Sequence, residues 1–122
     1  MGLDTTHDAW HGAYSSFNSW RTWVALQIGL NLREMEGYTK NGIKWDGVND
    51  DLKSLLYHSD CDGHLSSTEC KKIADRLNTI VEALEQTKEY PSEDYNWHIA
   101  KAKQFAKGCM SAYDEKEQLK FQ

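Results

Sequence analysis

The sequence predicts a mainly α, single-domain bundle of about four helices, with a helix–loop–helix at its centre. Three observations predict it. Apolar residues recur at three- and four-residue spacing in separate stretches of the chain. Helix-start and helix-stop residues mark the ends of those stretches. The length of 122 residues fits one domain with one core, and 39% hydrophobic against 27% charged residues is an ordinary globular composition.

The first helix is read over 13–32, where Phe17, Trp20, Val24 and Ile28 share one face. Trp23, Leu26 and Leu30 widen that face, so deep burial is expected. Residues 37–47, GYTKNGIKWDG, have no clear period and read as a loop with a short turn or hairpin. Asn49 is the expected N-cap of a short second helix from about Asp50 to Tyr57, with Asp50 and Asp51 at the positive end of its dipole. After the loop HSDCDGHL, Ser66 and Glu69 form a capping-box pair. They open a third helix, from about Ser67 to Lys88, with Ile73, Leu77, Ile80, Val81 and Leu84 on its apolar face. Tyr90-Pro91 ends it, because proline cannot continue a helix. Ser92 caps a fourth, from about Glu93 to Tyr113, with Ile99, Ala102, Ala106, Cys109 and Tyr113 inward. The tail ends in Leu119-Lys120-Phe121, which either makes a short terminal β pairing with Gly2-Leu3-Asp4 or frays.

The central loop carries the most specific chemistry. An EF-hand loop places oxygen ligands at positions 1, 3, 5, 7 (backbone), 9 and 12, with glycine at 6. With His58 at position 1, Asp60, Asp62, His64, Ser66 and Glu69 fall at positions 3, 5, 7, 9 and 12, and Gly63 falls at 6. The acids converge on an ion, glycine takes the positive φ of the sharp turn, and Glu69 reaches back from the exiting helix. Leu65 supplies the apolar position 8. The loop thus resembles a degenerate single EF-hand. His58 replaces the opening aspartate, and imidazole is a poor ligand for Ca²⁺. Binding is therefore expected to be weak for Ca²⁺, with Mg²⁺ or Mn²⁺ better tolerated.

Three readings of the loop stand open. It is an empty turn, with Asp60 and Asp62 bonding their own backbone; or it holds a hard divalent cation; or His58, Cys61, His64 and Cys70 hold Zn²⁺, at a compressed spacing. At the N-terminus, His7 and His11 lie four apart, on one face if the segment is helical, and Asp8 can orient one of them. The plainer reading places His7 and Asp8 before the first helix and His11 in its packed start.

Other classes are disfavoured. The net charge is −5 and no basic stripe with interleaved aromatics exists, so nucleic-acid binding is not expected. Lys101, Lys103 and Lys107 read as a solvated helix face. No stretch has the uninterrupted apolar length of a membrane span. The opening residues lack a secretory pattern, and Cys61, Cys70 and Cys109 are expected as free thiols of a reducing, cytoplasmic setting. No strained nucleophile or glycine-rich phosphate loop is present.

The blocks MGLDTTHDAWHGAYSSFNSWR, LLYHSDCDGHLSSTEC with KKIADRL, and Trp97 with KAKQFAKG resemble a group of small proteins from bacteriophages and bacterial prophages. The resemblance implies a phage origin and a host-cell cytosol, and it carries over no catalytic residue. Small size, acidity, aromatic richness and the lack of a catalytic constellation make protein–protein interaction the expected function, with a host or phage protein as partner and inhibition or modulation of a host process as outcome. The alternatives are a divalent-metal-binding module at the central loop, and a metal-dependent enzyme that brings His7, His11, Asp60 and Asp62 together.

Overall fold

The computed structural model of the chain describes residues 2–58, 63–87 and 93–122. The chain starts as a hairpin. Strand β1 (Gly2–Asp4) pairs antiparallel with β2 (His11–Ala13), and a 3-10 turn, Thr6–Asp8, lies between them. The turn is fixed from inside, where the Trp10 amide donates to Thr5 Oγ1 at 2.9 Å. Leu3, Ala9 and Trp10 are fully buried beneath it.

Helix α1 (Tyr14–Gln27) ends well before residue 32. Gly29 is the cause. Its φ of 79° lets the chain reverse, so the Leu30 amide bonds the Ala25 carbonyl at 2.9 Å and the Gly29 amide bonds Leu26 at 3.1 Å. This is a Schellman stop. Phe17, Trp20 and Val24 are buried as expected, whereas Leu26 lies past the covered face and is 58% exposed. A 3-10 turn at Leu32–Glu34, capped by Asn31, leads into the loop. That loop is anchored by buried Trp45, whose indole N–H donates to the Glu36 carbonyl at 2.8 Å.

Helix α2 is a single turn, Lys53–Leu56. Asp50, not Asn49, supports its start, accepting the Leu52 amide at 3.0 Å. Helix α3 (Ser67–Thr87) and helix α4 (Glu93–Asp114) form the main helix–helix contact. The expected stop at Tyr90-Pro91 and cap at Ser92 lie outside the described residues. Ile73, Leu77, Ile80 and Val81 face Ile99, Ala102, Phe105, Ala106 and Cys109 in one core. Tyr113 is 40% exposed, because the inner row of α4 ends on Ala112 and the next residue is turned about 100° away.

The core centres on aromatic rings. Phe17, Trp20 and Phe105 lie with centroids 5.2 to 6.2 Å apart, and Trp10 caps Phe17 edge-on at 5.0 Å. Helix α4 approaches the N-terminal hairpin so closely that a Cβ on Gly108 would sit 2.5 Å from Ala9 Cβ.

The tail does more than the expected terminal pairing. Strand β4 (Leu119–Lys120) pairs antiparallel with β3 (His64–Leu65), inside the central loop. Beyond it, Gln122 and Asp4 exchange backbone hydrogen bonds of 2.8 and 3.3 Å, and Thr5 bridges Phe121. Among the described residues, the tail's backbone bonds to the N-terminal strand region fall at Asp4 and Thr5 rather than at Gly2 and Leu3.

Candidate functional site

Two described positions of the loop have the backbone and burial expected of them. Gly63 adopts φ 87°, and Leu65 is buried. Asp60, Cys61 and Asp62 lie outside the described residues. Two groups that would face an ion are already engaged. His58 Nε2 lies 3.0 Å from the His64 carbonyl, the position-7 ligand. A carbonyl only accepts, so the ring nitrogen carries the proton and donates it. Glu69 Oε1 accepts the Ser66 amide at 2.9 Å, and Ser66 Oγ accepts the Glu69 amide at 3.1 Å. The capping box is therefore complete at both ends.

Burial works to raise the Glu69 pKa, but hydrogen bonds from the Ser66 amide and the Ser54 and Ser66 hydroxyls outweigh it. The carboxyl is held below its ordinary value. A cation at this loop would share the His64 carbonyl with His58 and the Glu69 carboxylate with the helix cap.

The C-terminal tail covers the outer edge of the loop. The Phe121 amide donates to the Gly63 carbonyl at 3.0 Å, and its ring packs on His58 at 4.2 Å. The same ring lies 5.9 Å from Phe17. A lone loop with an open strand edge is a pairing hazard, and β4 removes it.

Arg21 went unnoticed in the sequence. It is buried, and its Nη1 donates to the Leu55 and His58 carbonyls at 3.2 and 2.6 Å. The Leu55 carbonyl lies in the last turn of α2 and also accepts the His58 amide at 3.4 Å. The guanidinium also bonds Asn18 and lies over the Phe17 ring at 4.6 Å. The one available signal was a lone charged residue in the run Trp20 to Leu26, apolar but for Thr22.

Cys70, a proposed zinc ligand, is fully buried and faces inward. Its thiol shares a hydrogen bond with Cys109, which lowers the Cys70 pKa and, with burial, raises that of Cys109. His64 is exposed on the other side of the strand.

The N-terminal histidines are not on one helical face. His7 sits in the turn with φ 63°, and His11 stands half-exposed on β2 rather than in the packed start of α1. Asp8 does orient a histidine. His11 Nε2 lies 3.0 Å from Asp8 Oδ1, and its Nδ1 lies 2.9 Å from Asp4 Oδ1. The Asp4 and Asp8 carboxylates, in that order, raise the His11 pKa above its ordinary value. His7 turns the other way, toward Glu115 and Glu117. Their two carboxyls interact: Glu117 raises Glu115, while Glu115 and His7 lower Glu117.

An apolar-walled depression lies past the end of α1. Ile43 is 57% exposed beside this depression of about 390 Å³, lined also by Gly29, Leu30, Met35 and Val48. A more polar cleft of about 430 Å³ lies between Tyr38, Tyr57 and His58. Lys103 pairs with Glu85 and Lys101 lies over the Trp10 ring, so the α4 lysines do not line up as a free basic stripe. Among the described residues, no helix is long and apolar enough to cross a membrane. Comparison with protein-family models, curated proteins and solved structures finds no match.

Proposed function

We propose that this protein acts without catalysis, as a small protein-binding module whose EF-hand-like loop is a joint that closes without a cation. The observation that carries the docking role is the apolar surface past α1. Ile43 stands exposed over a depression walled by Leu30, Met35 and Val48, and Leu26 stands exposed one turn before the lining Gly29. An exposed apolar side chain over an apolar-walled depression favours a protein partner over solvent. The net charge of −5 favours a basic segment on that partner. The resemblance to phage and prophage proteins favours a host protein, and modulation of its activity as the outcome.

The loop supports this reading as scaffold. His58 and Glu69 are committed within the protein, so the joint holds α2 and α3 together by hydrogen bonds of its own.

Immobilised protein and its Ile43→Asp variant, exposed to bacterial lysate, test the docking role. Wild type is expected to retain one protein in stoichiometric amount. The variant is expected to lose it with an unchanged melting temperature, because Ile43 is on the surface. No stoichiometric partner, or equal capture by both, counts against the proposal.

A further inference from the structure

The fold builds a second cluster of ligand-type side chains, at the opposite end of the tail from the central loop. His7 comes from the N-terminal turn, and Glu115 and Glu117 come from the segment after α4. His7 Nε2 lies 3.2 Å from Glu115 Oε2 and 3.2 Å from Glu117 Oε1. One ligand atom from each residue lies within 4.8 Å of the other two.

We propose that His7, Glu115 and Glu117 bind one divalent transition-metal ion, with Zn²⁺ the best match, and that this ion clips the C-terminal tail to the N-terminal turn.

The spacing carries the argument. Metal–ligand bonds of about 2.1 Å set neighbouring ligand atoms about 3.0 Å apart in an octahedron and about 3.4 Å apart in a tetrahedron. The 3.2 Å separations fall between these values. They are long for a strong hydrogen bond, whose usual length is about 2.9 Å. One imidazole proton also has two carboxylates to serve, whereas a cation serves all three groups at once.

The donor set selects the metal. One imidazole with two carboxylates suits zinc or manganese better than calcium, and zinc binds such sites more tightly than manganese. The histidine is oriented as ligating histidines are, through its other nitrogen: Nδ1 lies 2.9 Å from Thr6 Oγ1. That hydroxyl is itself fixed by the Lys120 amide at 2.9 Å. The His7 ring is only 12% exposed, while Glu115 and Glu117 are 59% and 58% exposed. The ion therefore enters from solvent, against a fixed nitrogen, and the two glutamates close over it. A depression of about 350 Å³, lined by His7, Asp8, Gln104, Lys107, Gly108 and Ser111, adjoins the His7 ring. None of these residues takes part in the docking surface past α1, so the two proposals stand or fall separately.

Calorimetric titration of the full chain with ZnCl₂ tests the site. Wild type is expected to bind one ion per chain and to melt at a higher temperature with zinc. Glu115→Gln, Glu117→Gln and His7→Asn are expected to weaken binding about tenfold or more, and to lose the zinc-dependent rise in melting temperature. Asp62→Asn and Cys61→Ser are expected to bind as wild type does. Cobalt in place of zinc is expected to show no thiolate charge-transfer band. The glutamates are exposed, and circular dichroism of the metal-free variants verifies that they fold. Absence of binding at millimolar zinc overturns the proposal. So does binding of undiminished affinity after loss of either glutamate, binding lost with Asp62→Asn or Cys61→Ser, or a thiolate band in the cobalt form.

Discussion

His58 and Glu69 decide what the central loop is. A ring N–H points at the position-7 carbonyl, and a carboxylate completes a helix cap. The sequence made the register legible, because acid, glycine, apolar residue and glutamate fall at fixed offsets. It made His58 legible only as a missing ligand. That the ring reaches across the loop as a donor depends on Phe121 packing against it, a contact between residues far apart in the chain.

The cap gives a sharp test. Glutamine at position 69 keeps an oxygen for the Ser66 amide, and a capping box accepts either residue. Glu69→Gln is therefore expected to cost less at neutral pH in urea unfolding than Glu69→Ala, which is expected to cost about 1 kcal/mol. A pH term follows from the lowered carboxyl pKa. Its stabilisation is fully present above the ordinary value of 4.5 and is lost as pH falls through the lower folded value. Glu69→Gln is expected to remove that segment of the pH–stability profile. A profile unchanged in the variant contradicts the assignment.

Among the elements, α3 and α4 were the most legible, because long amphipathic periods survive small errors at their ends. The core positions Ile73, Leu77, Ile99, Ala102 and Cys109 are all buried. The end of α1 was misplaced because apolar residues continue in sequence through Leu30, while Gly29 turns the backbone away from the core. Apolar spacing reports burial only while the helix lasts.

Strand β4 was legible as an alternating piece but not in its principal pairing. Its register partner, Leu65, lies in a loop whose sequence is dominated by ligand-type residues. Phe121 ties this strand to the core, being buried against both Phe17 and His58. Phe121→Ala is expected to cost about 3–5 kcal/mol in denaturant unfolding, by loss of burial and creation of a cavity. A cost under about 1 kcal/mol would mean that the tail is not part of the cooperative core.

Across the whole molecule, one aromatic-centred core joins the hairpin, the helices and the tail. The mainly α class followed from local patterning. The arrangement of candidate sites did not, because it depends on contacts over almost the full chain length. His7 meets Glu117 across 110 positions, and local reading paired it instead with the nearby His11. The acidic, aromatic-bearing chain presents its apolar surface past α1, while the tail closes the loop at one end and meets His7 at the other.

The claim on which this account turns is that the central joint closes by its own hydrogen bonds. Amide NMR during titration with Ca²⁺ and then Mg²⁺ addresses it residue by residue. The account predicts that the amides of Gly63, His64 and Glu69 stay in place up to millimolar ion. A saturable one-to-one shift of those three amides would contradict it, since an ion would then be bound at the joint.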